Sequence, residues 1–217
     1  MQDLITVQGM VLQASPVGEY DKRVVLLSRE RGKITVFARG SRRMNSRFMA
    51  AVSPIAFGSF QLFEGRTAYN LMHADVSNYF EGLRNDMEKT CYATYFLEVA
   101  DYYTRENLEA EDMLGLLYLS MRALESDKLE NRLVRCIFEM RSMVINGEFP
   151  GLPGDREYEE STRYAVDYIQ RSPVEKLYTF AVSPEVLTQL EGIAARFISM
   201  LWDRKFKSLE ILKEIIS

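Results

Sequence analysis

Histidine and cysteine are scarce in this chain: His73 is the only histidine, and Cys91 and Cys136 are the only cysteines among 217 residues. A lone histidine inside an apparent strand is more often a surface or structural residue than a general base. Neither cysteine has a histidine nearby in sequence and no G-x-S-x-G elbow occurs, so no nucleophile–base pair is legible. The stretch Gly32-Lys33-Ile34-Thr35 lacks the upstream glycine of a phosphate-binding P-loop. Long apolar runs are missing as well: none approaches the roughly 18 residues that a membrane span needs. The first residues lack a basic region followed by a long apolar stretch, so neither signal peptide nor membrane anchor is expected. These absences point to a cytoplasmic protein that is not an enzyme and holds no cofactor or metal, with both thiols as small core residues in a reducing compartment. The acidic run 155–160 is the single candidate for a divalent-metal site, as in a nuclease. Acids also favour the first turn of a helix, which is the simpler reading of it.

What the chain does contain is a core and an uneven charge. Its 47% hydrophobic and 12% aromatic residues suffice to bury a sizeable interior. The net charge is −4, yet residues 1–80 carry 10 Lys/Arg against 6 Asp/Glu, and residues 81–217 carry 17 against 25. Between 22 and 47 there are nine Lys/Arg and one acid, Glu30. An acidic whole therefore contains a basic N-terminal third, which suggests two domains with different partners.

Residues 5–75 read as five strands: 5–13, 21–28, 34–39, 54–63 and 67–76, with Gly32 and Gly65 in tight connections. A long connection separates the third strand from the fourth, as in a five-stranded OB barrel, which is preferred here over an SH3-like barrel. From residue 81 the period changes. Leu83, Met87, Cys91, Tyr95 and Val99 recur every four residues and predict one long helix. Further helices are expected over 111–125, 128–146, 156–170, 174–181, 184–203 and 208–216. Ser172-Pro173 and Ser183-Pro184 supply serine caps with proline at the first helical position. The Gly/Pro-rich stretch 146–154 divides the helical part into two lobes. The expected architecture is α+β: an OB-fold barrel over 1–79 and an all-helical domain over 80–217.

The segment ARGSRRMNSRF, 38–48, places Arg39, Arg42, Arg43 and Arg47 in nine positions with no acid between them. Surfaces normally mix both signs. Arginine forks match phosphate oxygens, and Gly40, Ser41 and Ser46 would let backbone N–H groups approach as well. Nucleic-acid backbone is the natural ligand, with Lys33 and Arg29 as secondary contacts; the acidic surface of a partner protein is the alternative. Most barrel aromatics must fill the core, which leaves Phe37 and Tyr20 as candidate platforms for base stacking. Five such cations on single-stranded DNA would give a log–log salt slope of about −3.5. Near the C-terminus, Arg196, Phe197, Lys205 and Phe206 suggest a cation-rimmed groove for an acidic peptide ending in an aromatic residue, against the simpler reading of an amphipathic helix on its own core.

The stretch RGKITVFARGSRRMNSR, following GEYDKRVVLLSRE, resembles the RecO family of bacterial recombination mediators, and the similarity continues through LFEGRTAYNLMHADVSNYFEGLRNDMEKTCYATYFLEVAD to RKFKSLEILKEI. The resemblance implies an N-terminal OB-fold, a helical C-terminal domain and binding of single- and double-stranded DNA without nucleotide hydrolysis. It further implies annealing of complementary strands and, with RecR and in some bacteria RecF, loading of RecA. Contact with the acidic C-terminal tail of single-stranded-DNA-binding protein through the helical part is also implied, as is association with the nucleoid. Many members carry a four-cysteine zinc site after a segment like the one around Gly147, Phe149 and Pro150. No cysteine follows here, so zinc is expected to be absent and the lobe after residue 150 to be held by packing alone.

Overall fold

A computed structural model describes residues 4–154 and 157–216. Two compact units emerge: residues up to Glu81 together with Leu97–Leu114, and Gly82–Phe96 together with everything from Gly115 onward.

In the first unit, strands β1 (Leu4–Val17), β2 (Asp21–Ser28), β3 (Gly32–Ala38), β4 (Phe57–Glu64) and β5 (Tyr69–Asn78) close into a barrel in the order β1-β2-β3-β5-β4. All pairs are antiparallel except β3 with β5, which run parallel through Val36–Tyr69 and Phe37–Asn70. This is the OB-fold. β1 serves two neighbours because a bulge between Val11 and Gln13 bends it, its first half pairing with β4 and its second with β2. Alternate residues point inward, so Val7, Val11, Val24, Leu26, Ile34, Val36, Phe60, Leu62 and Leu71 fill the interior. Each such buried side chain contributes about 1.5–3 kcal/mol of hydrophobic stabilisation.

The 39–56 connection is a chain of tight turns rather than a free loop, with Arg43 N–H donating to Gly40 O, Ser46 to Arg43 O, Met49 to Ser46 O and Val52 to Phe48 O. Its apolar residues Phe48, Ala51, Val52 and Ile55 are buried, while Arg42, Arg43, Met44 and Arg47 are exposed. Hydrophobic spacing thus seals the barrel with one side of the segment and turns the arginines outward with the other.

Residues 29–33 hold the segment that follows residue 97. Gly32, at φ 63°, forms a bridge with Glu106. Lys33 N–H donates to Arg105 O, Asn107 N–H to Arg31 O and Ala110 N–H to Arg29 O. A Cβ on Gly32 would lie 2.2 Å from Leu108 O and 2.3 Å from Arg105 O, so only glycine permits this approach.

The helical part contains α1 (Glu81–Arg84), α2 (Met87–Tyr103), α3 (Glu111–Glu125), α4 (Asn131–Ile145), α5 (Glu160–Arg171), α6 (Pro184–Leu201) and α7 (Lys207–Ile216). The single helix expected through Leu83 and Val99 is instead two, because Asp86 interrupts it. Its carboxylate accepts from Lys89 N–H at 3.0 Å, making it the N-cap of α2. The helix expected over 174–181 shrinks to one 3-10 turn, Val174–Lys176, in which Ser172 caps the end of α5 instead of starting a new helix. Ser183 does cap α6, accepting from Val186 N–H with Pro184 at the first position. α4 ends at Gly147 (φ 70°), where Gly147 N–H reaches Val144 O and Glu148 N–H reaches Met143 O.

The second unit packs around α4. Phe96 stacks on Phe138 with centroids 4.2 Å apart, and Phe206 meets Tyr95 and Trp202 edge-on. Glu139 is wholly buried and accepts from Tyr95 Oη at 2.7 Å and from Arg135 Nε at 2.8 Å. Both donors reach Oε1, so they offset only part of the desolvation of that carboxylate, and the buried Oε2 has no hydrogen-bond partner.

Candidate nucleic-acid interface

The arginine segment is anchored at one end of the barrel, where the β1–β2 turn meets the end of β3. Gly40 (φ 64°) turns the chain just after Arg39, and its N–H donates to Asp21 Oδ1 at 2.7 Å. Arg42 N–H donates to Tyr20 O at 2.9 Å, and its Nη1 to Gly18 O at 3.1 Å. The Arg43 guanidinium lies 5.1 Å from the centroid of the Tyr20 ring. Arg47 sits 4.7 Å from the Phe48 ring centroid and donates to Met72 O at 2.9 Å. Since β5 runs parallel to β3 with Asn70 opposite Phe37, Met72 lies beyond the end of β3, level with the arginine segment. Arg39 is exposed, and no ion pair neutralises Arg39, Arg42, Arg43 or Arg47 among the described residues. A guanidinium carries five donors, so Arg42 and Arg47 retain free N–H groups after their single carbonyl contacts. Arg42, Arg43 and Arg47 are therefore oriented by neutral acceptors and rings rather than cancelled by carboxylates, and Arg39 is exposed close by in the same segment.

Several sequence-derived contacts are redirected. The backbone N–H groups of Gly40, Ser41 and Ser46 are consumed by Asp21, Ala38 O and Arg43 O, and Ser41 is fully buried, so none offers itself to a ligand. Lys33 is not a surface cation: its Nζ donates to Asp101 O at 2.6 Å and pairs with Asp101 Oδ1 at 3.0 Å. Arg29 is ion-paired with Glu111. Both hold the 97–114 segment instead of facing outward unpaired. Phe37 points outward from β3 and is half-buried, while Tyr20 is 44% exposed with Arg43 over its ring.

Arg23 went unselected in the sequence. It is exposed on β2 directly opposite Phe37 and donates to Thr35 Oγ1 at 3.4 Å. Strand alternation carried the signal, because Arg23 and Phe37 share outward parity.

In the helical part, Phe197 and Phe206 are 6% and 3% exposed. Phe197 packs edge-on against Phe149 at 5.2 Å, and Phe206 fills the space between Tyr95 and Trp202. They are core residues, so they do not wall an open groove. Arg196 lines a separate cavity of about 460 Å³ with Glu157, Tyr158 and Gln189, and Lys205 is exposed. The four residues do not form one site.

The four-cysteine zinc site of many relatives does not fit this chain. Two cysteines cannot supply four thiolates, and burial pushes the Cys91 and Cys136 thiols up, away from the ionised form that a metal requires. No cluster of three or more His, Cys, Asp or Glu suited to a metal occurs among the described residues. Asp155 and Arg156 of the acidic run lie outside those residues. Packing and hydrogen bonds hold the lobe: Phe149 on Phe197, Thr162 Oγ1 to Gln189 Oε1 at 2.8 Å, Gln189 Nε2 to Glu159 Oε1 at 3.1 Å, and Arg141 Nη1 to the carbonyls of Ile169 and Gln170. Among the described residues no helix is long and apolar enough to cross a membrane.

Fold and charge define the class: an OB-fold protein with a cationic end to its barrel and a helical part that follows it in sequence. The family model for the recombination protein O N terminal region matches residues 1–80, and that for its C terminal region matches residues 84–154. The chain belongs to the RecO family of DNA repair proteins. A DNA repair protein RecO from Alkaliphilus metalliredigens is 26% identical over 98% of this chain and 100% of that protein. One from Acetivibrio thermocellus is 25% identical over 95% of each. Another from Symbiobacterium thermophilum reaches 35% over 69% of this chain and 59% of its own. Membership supports a role in recombinational repair.

Proposed function

We propose that this protein is a non-enzymatic recombination mediator that binds single- and double-stranded DNA through the end of its barrel and anneals complementary strands. In this reading it acts with RecR, and indirectly with RecF, to help load RecA onto DNA coated by single-stranded-DNA-binding protein, whose acidic tail it contacts. It works at the nucleoid. The observation that carries the reading is the set of four arginines without acidic partners among the described residues, three of which, Arg42, Arg43 and Arg47, are anchored on Gly18, Tyr20 and Met72 at one end of an OB barrel. Repulsion between phosphates is the physical obstacle to bringing two strands together, and a pre-oriented arginine array screens it. Oriented guanidinium forks also lose less side-chain freedom on binding phosphate than free ones do.

Anisotropy titration of a labelled single-stranded oligonucleotide across a salt series tests this. Each lost phosphate contact on a single strand flattens the log–log slope by about 0.7, so replacing Arg39, Arg42, Arg43 and Arg47 with alanine flattens it by about 2.8. Unchanged affinity and slope in that variant would rule the interface out. An annealing assay with and without single-stranded-DNA-binding protein tests the mediator step.

A further inference from the structure

Met44 is 90% exposed, the most exposed large hydrophobic among the described residues. A single exposed methionine needs no partner by itself; what distinguishes this one is its setting. Arg43 before it folds back over Tyr20, and Arg47 after it folds over Phe48 and onto β5. Met44 is therefore the most exposed apolar side chain of the segment, lying between Arg43 and Arg47 in sequence. Two aromatics that the sequence offers for base stacking are compromised: Tyr20 has a guanidinium over its ring, and Phe37 is half-buried opposite Arg23. Thioether sulfur makes favourable contacts with aromatic rings and is flexible enough to meet any base.

We infer that Met44 is the base-contacting residue of the interface, inserting its thioether between or against unpaired bases while the flanking arginines hold the phosphates. This deepens the DNA-binding reading and rests on it. The ligand class is single-stranded nucleic acid with accessible base faces, and the contact is blind to base identity. In an intact duplex the bases are already stacked and paired, so Met44 adds preference for single strands over duplex where the arginines add none. Splaying bases on a phosphate-neutralised strand also leaves their pairing edges available to a complementary strand.

The experiment compares wild type, Met44→Ala and Met44→Leu in the full chain, using a thymidine oligonucleotide carrying one 2-aminopurine and a duplex of the same length. Met44→Ala should weaken single-strand binding about 2- to 10-fold. Duplex affinity and salt slope should stay as in wild type, and the rise in 2-aminopurine emission that reports unstacking should disappear. Met44→Leu should retain most of both signals. Wild-type binding and emission in Met44→Ala would overturn the inference while leaving the arginine interface standing. If wild type binds neither oligonucleotide at low salt, the DNA-binding reading fails and the inference falls with it.

Discussion

Replacing Gly32 by alanine isolates what holds the 97–114 segment to the barrel. The residue sits at φ 63°, where an L side chain costs roughly 1–2 kcal/mol. Its new Cβ would stand 2.2 Å and 2.3 Å from two carbonyl oxygens, a separation that real contacts do not show. Since those oxygens belong to backbone, the 105–108 stretch must retreat. Two hydrogen bonds then go, Lys33 N–H to Arg105 O and Asn107 N–H to Arg31 O, each contributing about 0.5–1.5 kcal/mol. The total is about 2–5 kcal/mol, a large fraction of the roughly 5–15 kcal/mol by which domains are stable. Gly18 is the matched control, with φ 58° and nothing within 4 Å of its Cβ position. Gly18→Ala retains only the backbone cost, roughly 1–2 kcal/mol. Urea denaturation followed by far-UV circular dichroism should separate the two variants by about 1–3 kcal/mol, the share of the two hydrogen bonds. Equal losses would refute the reasoning, because the steric contact would then carry no weight.

Other outcomes follow from the same geometry. Lys33→Met removes an internal pair, so it should lower stability by about 1–2 kcal/mol while leaving DNA affinity and salt slope at wild-type values; a flattened slope would put Lys33 back among the phosphate contacts. Tyr92 is fully buried with an unpartnered hydroxyl, and burial pushes its pKa up to about 12. Because the folded value is raised above the unfolded one near 10, its contribution is complete below pH 10 and is lost between pH 10 and about 12. The loss is on the order of 2–3 kcal/mol, and Tyr92→Phe should make urea midpoints at pH 9 and pH 11.5 differ less than in wild type. Chelators should leave the thermal midpoint unmoved, whereas a fall in Tm with EDTA would point to a metal held in some other way.

The barrel and its charge were readable because both are written locally. Val24, Leu26, Ile34 and Val36 alternate with outward residues, and the second strand runs over Asp21–Ser28 as its apolar pattern indicates. The helix at 111–125 likewise follows its apolar spacing. Misreadings arose where one residue type has two uses. Asp86 looks like any surface acid in a helical repeat until its carboxylate caps α2. Ser172-Pro173 has the form of a helix start, yet Ser172 ends α5. Phe197 and Phe206 lie near cations in sequence, and burial alone distinguishes a core aromatic from a groove wall.

The sequence by itself determined an OB barrel with a basic N-terminal third, a helical remainder, and too few cysteines for the family's zinc site. Periodicity, composition and counting require no knowledge of distant neighbours. Only the tertiary structure decided which cations are free. Lys33 meets Asp101 across 68 residues and Arg29 meets Glu111 across 82, so both carry a carboxylate partner within the fold. Arg39, Arg42, Arg43 and Arg47 remain without carboxylate partners among the described residues. Charge is a property of a residue, but its availability depends on what the folded chain brings beside it.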